Sequence, residues 1–160
     1  MNSIKKIGVL FVCLGNICRS PMAEAVFRHL VRLEGLEERF DIDSAGTGSW
    51  HIGKPPHPGT RKILDQAGIS YDGLTGRQVN AKDFSRYDYI VAMDTENEAD
   101  LKQLDRRSEG NIIKLLDLLP GLKPKDVPDP YYTGNFEEVY ELVDQGCRAL
   151  LEQIRRERLS

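Results

Sequence analysis

Ile7 to Val12 is an unbroken apolar run, not an alternating one, which is the pattern of a parallel strand covered on both faces. It gives way to Cys13-Leu14-Gly15-Asn16-Ile17-Cys18-Arg19-Ser20-Pro21, after which Met22, Ala23, Val26, Phe27, Leu30 and Val31 recur at helical spacing up to Gly35. Pro21 suits the first position of a helix and Ser20 its N-cap, so the segment predicts strand, loop and helix in succession. Phe40 to Ser44 predicts a short second strand and Ala45 to Pro58 a Gly/Pro-rich loop carrying Trp50; a helix then runs through Ala67 and stops at Gly68. Tyr89 to Met93 reads as another buried strand, Glu96 to Arg107 as a charged surface helix, and Asn111 to Lys114 as a short strand ahead of the proline-rich stretch Pro120 to Pro130.

Phe136, Val139, Tyr140, Val143, Cys147, Leu150, Leu151 and Ile154 form one apolar stripe, and Asn135 with Glu138 has the spacing of a capping box at its head. This is the last predicted helix. Repeated alternation of strand and helix argues for an α/β fold, an open parallel sheet with helices on both faces, whose ligand lies beyond the carboxyl ends of the strands. The loop at Cys13 occupies that position.

With 160 residues and no internal repeat, linker or low-complexity tract, the chain is expected to form a single domain over residues 1–160. Hydrophobic residues make up 40% and charged residues 29%, and the apolar run Val9 to Cys13 is far too short for a membrane span. Lys and Arg number 22 against 25 Asp and Glu, so a net charge of −3 supplies no sequence-wide basic field for nucleic acid. Cys13, Cys18 and Cys147 are too few to read as a secreted disulfide framework, and the start MNSIKKIGVLFV lacks the length and cleavage site of a signal peptide. A cytoplasmic protein with a small or local partner is expected.

Cys13 and Arg19 stand in a C(x)5R arrangement with Gly15 and Asn16 between them, the two residue types that most readily take unusual backbone angles. Such a loop curls its N–H groups inward, and because it feeds a helix N-terminus, amides and dipole converge into a cradle for a tetrahedral oxyanion such as phosphate. Arg19 adds a planar fork for two phosphate oxygens. A thiol at the rim of that positive field is expected to be a thiolate at neutral pH, which makes Cys13 a nucleophile with no need of a histidine partner. His29, His51 and His57 are read as surface or capping residues. A metal half-site at Cys13 and Cys18 lacks a second ligand pair, so no metal or other cofactor is expected.

Taken together, Val12 to Glu24 (VCLGNICRSPMAE), Asp43 to Thr47 (DSAGT), Trp50, and Asp129 to Tyr140 (DPYYTGNFEEVY) make the chain resemble the low-molecular-weight protein tyrosine phosphatases over essentially its whole length. The resemblance implies a four-stranded parallel sheet of the flavodoxin-like or Rossmann-like kind. It implies Cys13 as the nucleophile that forms a cysteinyl-phosphate, Arg19 as the phosphate clamp, and the backbone of Leu14, Gly15, Asn16, Ile17, Cys18 and Arg19 as the anion cradle. Asp129 would be the general acid and then the base, roles that an aryl ester and an attacking water both require. Pro128 and Pro130 hold Asp129 extended; beside proline it also has the look of an ordinary turn residue.

Trp50, Tyr131 and Tyr132 would wall the substrate cleft; as plain residues, a core Trp and solvent-facing Tyr are the alternatives. Asn16, Ser20 and Ser44 would hold the cradle in shape, Ser20 close enough to help phosphate leave Cys13. Cys18 would trap an oxidised Cys13 as a disulfide, or merely pack the loop. Cys147 reads as core. Many members carry His where Leu74 stands, ahead of Arg77-Gln78, so one link in the support of Ser20 is replaced. The implied partners are tyrosine-phosphorylated proteins or peptides, met by a monomer or weak homodimer.

Three other functions share features of the pattern. Protein arginine phosphatases of the same family typically have Thr at the position of Ile17 and lack the two tyrosines after the acid. Thiol-dependent arsenate reductases need a downstream cysteine pair, where this chain has only Cys147. A non-catalytic phosphate-binding module would have no use for both a nucleophile and an acid.

Overall fold

The computed structural model describes residues 5–105, 111–121 and 126–159. The first four residues, the predicted helix end at Arg107 and part of the proline-rich stretch lie outside the described residues. Four strands, β1 (Ile7–Cys13), β2 (Phe40–Gly46), β3 (Tyr89–Ala92) and β4 (Ile112–Lys114), form one sheet in the order β2-β1-β3-β4, every pair parallel. Each connection contains a helix: α1 (Arg19–Leu33) after β1, α2 (Pro58–Ala67) and the single turn α3 (Asp83–Arg86) after β2, and α4 (Thr95–Leu104) after β3. The chain closes with the short α5 (Pro130–Thr133) and the long α6 (Phe136–Ile154).

The central strand β1 is buried at all seven positions, and its alternate side chains enter two separate cores. Val9 and Phe11 join α1 and α6 through Phe27, Val139, Val143 and Cys147, whereas Leu10 and Val12 join Phe84, Tyr87 and Leu101 on the opposite face. An apolar run without alternation is therefore what a strand covered twice demands. On the first face, Phe27 sits between Phe11 and Phe40 with edge-on ring contacts at 5.6 Å to each.

Strand order places the topological switch between β1 and β3, because the chain leaves β1 toward β2 and returns past it to β3. The crevice beyond their carboxyl ends is bounded by the loop after Cys13 and by Met93-Asp94, the position where open α/β sheets bind ligands. One expectation is corrected here. α1 starts at Arg19 with Cys18 at its N-cap and no capping side chain, so Ser20 and Pro21 lie within the first turn. The Ser20 hydroxyl is not capping because Cys13 and Asn16 hold it, and the first amides of α1 are left facing the crevice.

Candidate active site

Backbone accounting explains the shape of the loop from Cys13 to Arg19. The carbonyls of Cys13 and Leu14 accept from the amides of Thr47 and Gly48 at 3.0 and 2.9 Å, that of Ile17 from His57 N at 2.7 Å, and that of Cys18 from Thr60 Oγ1 at 3.2 Å. With these carbonyls drawn outward, the loop's amides turn inward around Cys13; Asn16 N lies 3.3 Å from Cys13 Sγ. Asn16 carries the turn with φ of 57°, the one non-glycine residue at positive φ among those described, while Gly15 keeps negative φ contrary to expectation. Gly15 instead leaves room for the His51 ring, which a Cβ there would approach to 3.0 Å. Gly46 is constrained likewise, because its Cβ would meet Leu14 O at 2.9 Å.

Polar side chains fix this loop from beneath. Ser20 Oγ lies 3.0 Å from Cys13 Sγ, and Asn16 Nδ2 donates to both Ser20 Oγ (2.8 Å) and Ser44 Oγ (3.0 Å). Asn16 Oδ1 accepts from Arg77 N at 2.9 Å, and the Arg77 guanidinium is tied to Asp43 and Asp83. Ser44 in turn donates to Glu24 Oε1 at 2.7 Å. Glu24 is buried within α1, and burial pushes its carboxyl up to about 7 against the opposing effects of Ser44 and Arg28. Leu74 is also buried and shares with Asn16 and Ser44 a void too small to admit water.

Arg19 reaches across the switch-point crevice. Its Nη1 donates to Asp94 Oδ2 at 2.5 Å and to Val127 O at 3.0 Å, and Nη2 lies 3.4 Å from Asp129 Oδ2. Among the described residues the Nε proton is buried without a partner, and Nη2 has only its 3.4 Å contact to Asp129, so the Nε–Nη2 edge is the part of the fork open to an oxyanion. Burial alone would lower the pKa of this guanidinium, but Cys13, Asp94 and Asp129 together hold it above its ordinary value. Cys18 is pushed the other way from a reactive thiol: burial, then Cys13 and Asp129, raise it to about 12, so it is protonated at neutral pH.

Asp129 is extended, with φ of −85° and ψ of 108°, and N-caps α5 by accepting from Tyr131 N at 3.1 Å. Its turn geometry and its position above Arg19 coexist, since one oxygen caps and the other faces the guanidinium. The loop that carries it is latched to the sheet, with Val127 N donating to Met93 O at 2.9 Å and Lys114 Nζ to Asp126 Oδ1 at 2.9 Å.

These parts enclose one cavity of about 340 Å³, with Cys13, Cys18 and Arg19 at its floor and Trp50, Asp129, Tyr131 and Tyr132 around its mouth. Trp50 and both tyrosines are exposed, which answers whether Trp50 belongs to the core; Cys147 is fully buried on the inner face of α6. Tyr131 and Tyr132 meet edge-on at 5.5 Å. His57 N-caps α2 through Gly59 N, as expected of a capping residue, but His51 lines the cavity. Sequence reasoning missed three contributors: His51, Asp94 and Glu24. Asp94 had a readable signal, as the first polar residue after a buried strand beside the switch point, followed by an acidic helix start. Glu24 had none, since a glutamate in an amphipathic helix reads as solvated. Among the described residues, no group of three or more His, Cys, Asp or Glu converges as metal ligands, and no helix is long and apolar enough to cross a membrane.

Comparison with known proteins places these features in a wider set. The sequence profile described as "Low molecular weight phosphotyrosine protein phosphatase" matches residues 8–160. The low molecular weight protein-tyrosine-phosphatase YfkJ of Bacillus subtilis is 54% identical over 95% of this chain and 98% of its own length; its crystal structure superposes with a TM-score of 0.94. PtpA of Staphylococcus aureus, another protein so named, is 45% identical over 92% of this chain and 94% of its own. A solved structure described as DARP, drosophila arginine phosphatase, is 34% identical, covers 92% of this chain and 97% of its own, and superposes with a TM-score of 0.84.

Proposed function

The chain belongs to the low-molecular-weight phosphotyrosine protein phosphatase family, and from that membership we propose a role for each residue of the cavity in the hydrolysis of phosphotyrosine. The protein is a protein-tyrosine phosphatase, a phosphoric monoester hydrolase. The phosphoryl group enters with its oxygens on the amides of Leu14 to Arg19 and on the Nε–Nη2 edge of Arg19. Cys13 Sγ attacks phosphorus in line; the S–P bond forms as the P–O bond to the phenol breaks, and Asp129 delivers its proton to the departing oxygen. Water then attacks the cysteinyl-phosphate, Asp129 takes its proton, and phosphate leaves. As the S–P bond breaks, the Ser20 hydroxyl 3.0 Å away donates to the emerging thiolate. The amides and Arg19 are in place before charge develops on the transferring group, which is where electrostatic preorganisation acts.

The observation that carries this reading is that one cavity holds Cys13 and Arg19 at its floor and Asp129 among aromatic side chains at its mouth. A phenyl ring spans that depth, whereas phosphoserine is too short for its phosphorus to reach Cys13. The arginine-phosphatase alternative meets Ile17, which lines the cavity and offers no hydroxyl to a guanidinium or a water. Substrates are accordingly tyrosine-phosphorylated proteins or peptides. We further assign residues 1–160 to one domain, acting as a monomer or weak homodimer, since a single chain completes the site. A cytoplasmic location fits three free cysteines. Cys13 and Cys18 line the same cavity floor, which supports a disulfide between them under oxidation.

Hydrolysis of a phosphotyrosine and a phosphoarginine peptide side by side, in EDTA, tests the assignment. Wild type is expected to prefer phosphotyrosine and Cys13→Ser to be inactive on both. Preference for phosphoarginine refutes the substrate assignment, and turnover by Cys13→Ser refutes the nucleophile. With Asp129→Asn, esters of poor leaving groups are expected to slow more than those of good ones; equal slowing removes Asp129 from the acid role.

A further inference from the structure

Trp50 lines two cavities. Beyond the catalytic cleft, Trp50 and Leu14 also border a second groove of about 450 Å³, completed by Thr47 and Gly48 on one bank and by Asp100, Gln103 and Leu104 of α4 on the other. The indole lies directly against Gly48, where a Cβ would stand 1.9 Å from Cζ3, so backbone contact sets the position of this partition. Trp50 and Leu104 are 66% and 57% exposed, two of the six large apolar side chains that the described residues leave exposed.

The groove also carries a charge. The Asp100 side chain makes no hydrogen bond or ion pair among the described residues; Glu96 lies one turn before it on the same face of α4, and Lys102 is turned to Glu98 at 3.9 Å on another face. An aromatic face, an aliphatic side chain and a free carboxylate in one groove match a long side chain with an apolar stem and a cationic head. Geometry supplies the ligand's origin. Successive residues of a substrate chain are about 3.8 Å apart, so with a phosphotyrosine ring in the catalytic cleft, a flanking side chain comes within reach of the groove that shares Trp50 and Leu14 with it.

We propose that this groove is a specificity subsite for an arginine or lysine flanking the phosphotyrosine, with the stem on Trp50 and Leu104 and the cation on Asp100. The proposal rests on the phosphatase reading above and adds a sequence preference to it.

Steady-state kinetics on phosphotyrosine peptides test it, using an alanine-flanked parent and versions with one arginine or one glutamate at each flanking position, with p-nitrophenyl phosphate as a substrate too small to reach the groove. At one flanking position, arginine is expected to raise kcat/KM about threefold to tenfold over glutamate, the size of an exposed cation–π contact plus a surface ion pair. Asp100→Asn, and separately Leu104→Ser, are expected to reduce that preference about threefold while leaving p-nitrophenyl phosphate turnover unchanged. Equal kcat/KM across the peptide series, with good turnover, overturns the subsite alone, as does a preference that survives both substitutions. Failure to hydrolyse any phosphotyrosine peptide overturns the phosphatase reading and the subsite with it.

Discussion

Asp94 gives its two carboxylate oxygens to two different partners, and a substitution series separates what each does. Oδ2 holds Arg19 Nη1 at 2.5 Å; Oδ1 accepts from Asn97 N at 2.7 Å as the N-cap of α4. Asp94→Ser keeps a capping oxygen and loses the ion pair, whereas Asp94→Ala loses both. An N-cap is worth about 1 kcal/mol. Removing one member of a fully buried ion pair costs about 3–5 kcal/mol, and because the Asp94 side chain is 20% exposed the cost falls just below that range, about 2–3 kcal/mol. Urea unfolding is therefore expected to show losses of about 2–3 kcal/mol for Asp94→Ser and about 3–4 kcal/mol for Asp94→Ala. Catalysis should follow a different rule. Without Asp94 the guanidinium shifts toward Asp129, and a misplacement of about 1 Å costs on the order of 100-fold. Both variants are expected to fall by about that factor in kcat on p-nitrophenyl phosphate, measured where each remains folded. A wild-type rate in Asp94→Ser, or a kcat loss that scales with the stability loss across the pair, would refute the positioning argument.

Three further outcomes follow from the support around the cavity. Because burial raises the Glu24 carboxyl from 4.5 to about 7, its neutral form suits the fold; the stability this gives is complete below about pH 4.5 and is lost as pH rises through 7. That amounts to about 3 kcal/mol, so Glu24→Gln is expected to flatten the urea-midpoint decline between pH 5 and pH 8, and an unaltered decline would assign it to other groups. With Cys18 raised to about 12, its attack on a Cys13 sulfenic acid formed by peroxide, which expels water and forms the disulfide, should quicken with pH. Cys18→Ser should then lose recovery by dithiothreitol after oxidation, and full recovery in that variant would exclude the trap. Lys114→Met removes the 2.9 Å tie to Asp126, whose own carboxyl is lowered on balance because hydrogen bonds from Lys114 and Thr95 outweigh burial. We expect kcat on poor leaving groups to fall about tenfold, roughly 1.4 kcal/mol, with good leaving groups nearly spared; a uniform loss would show that the latch does not serve Asp129.

Strands and helices were legible where one local pattern sufficed. The unbroken apolar run of β1 announced a doubly covered strand, and the spacing from Cys13 to Arg19 announced a loop feeding a helix. Legibility failed where a side chain had two claims on it. Ser20 has the composition of an N-cap, but Cys13 and Asn16 engage its hydroxyl, so the helix begins two residues earlier and is left without a side-chain cap. His51 has no periodic signal at all; the loop after β2 carries it to the cavity, and nothing local to position 51 encodes that path. Asp94 lies 75 residues from the arginine it holds, a pairing that exists only once β3 has docked beside β1.

Leu74 shows how such a loss is absorbed. An imidazole at that position would adjoin Asn16 and Ser44 and could carry charge into their network; Leu74 fills the space with hydrocarbon and leaves a void too small for water. The hydrogen-bond chain from Cys13 through Ser20, Asn16 and Ser44 persists without it, because Arg77 N takes up Asn16 Oδ1 and Glu24 takes up the Ser44 proton. The chain ends at Glu24. Glu24 then has Arg28 at 2.7 Å as its ion-pair partner, a residue of its own helix whose side chain is 38% exposed, and against burial that partner is too weak to keep the carboxyl in its usual range. Geometry at the nucleophile is thus held by a hydrogen-bond chain that needs no imidazole, and its far end is a buried glutamate, titrating near neutral pH, that no local pattern in the sequence marks.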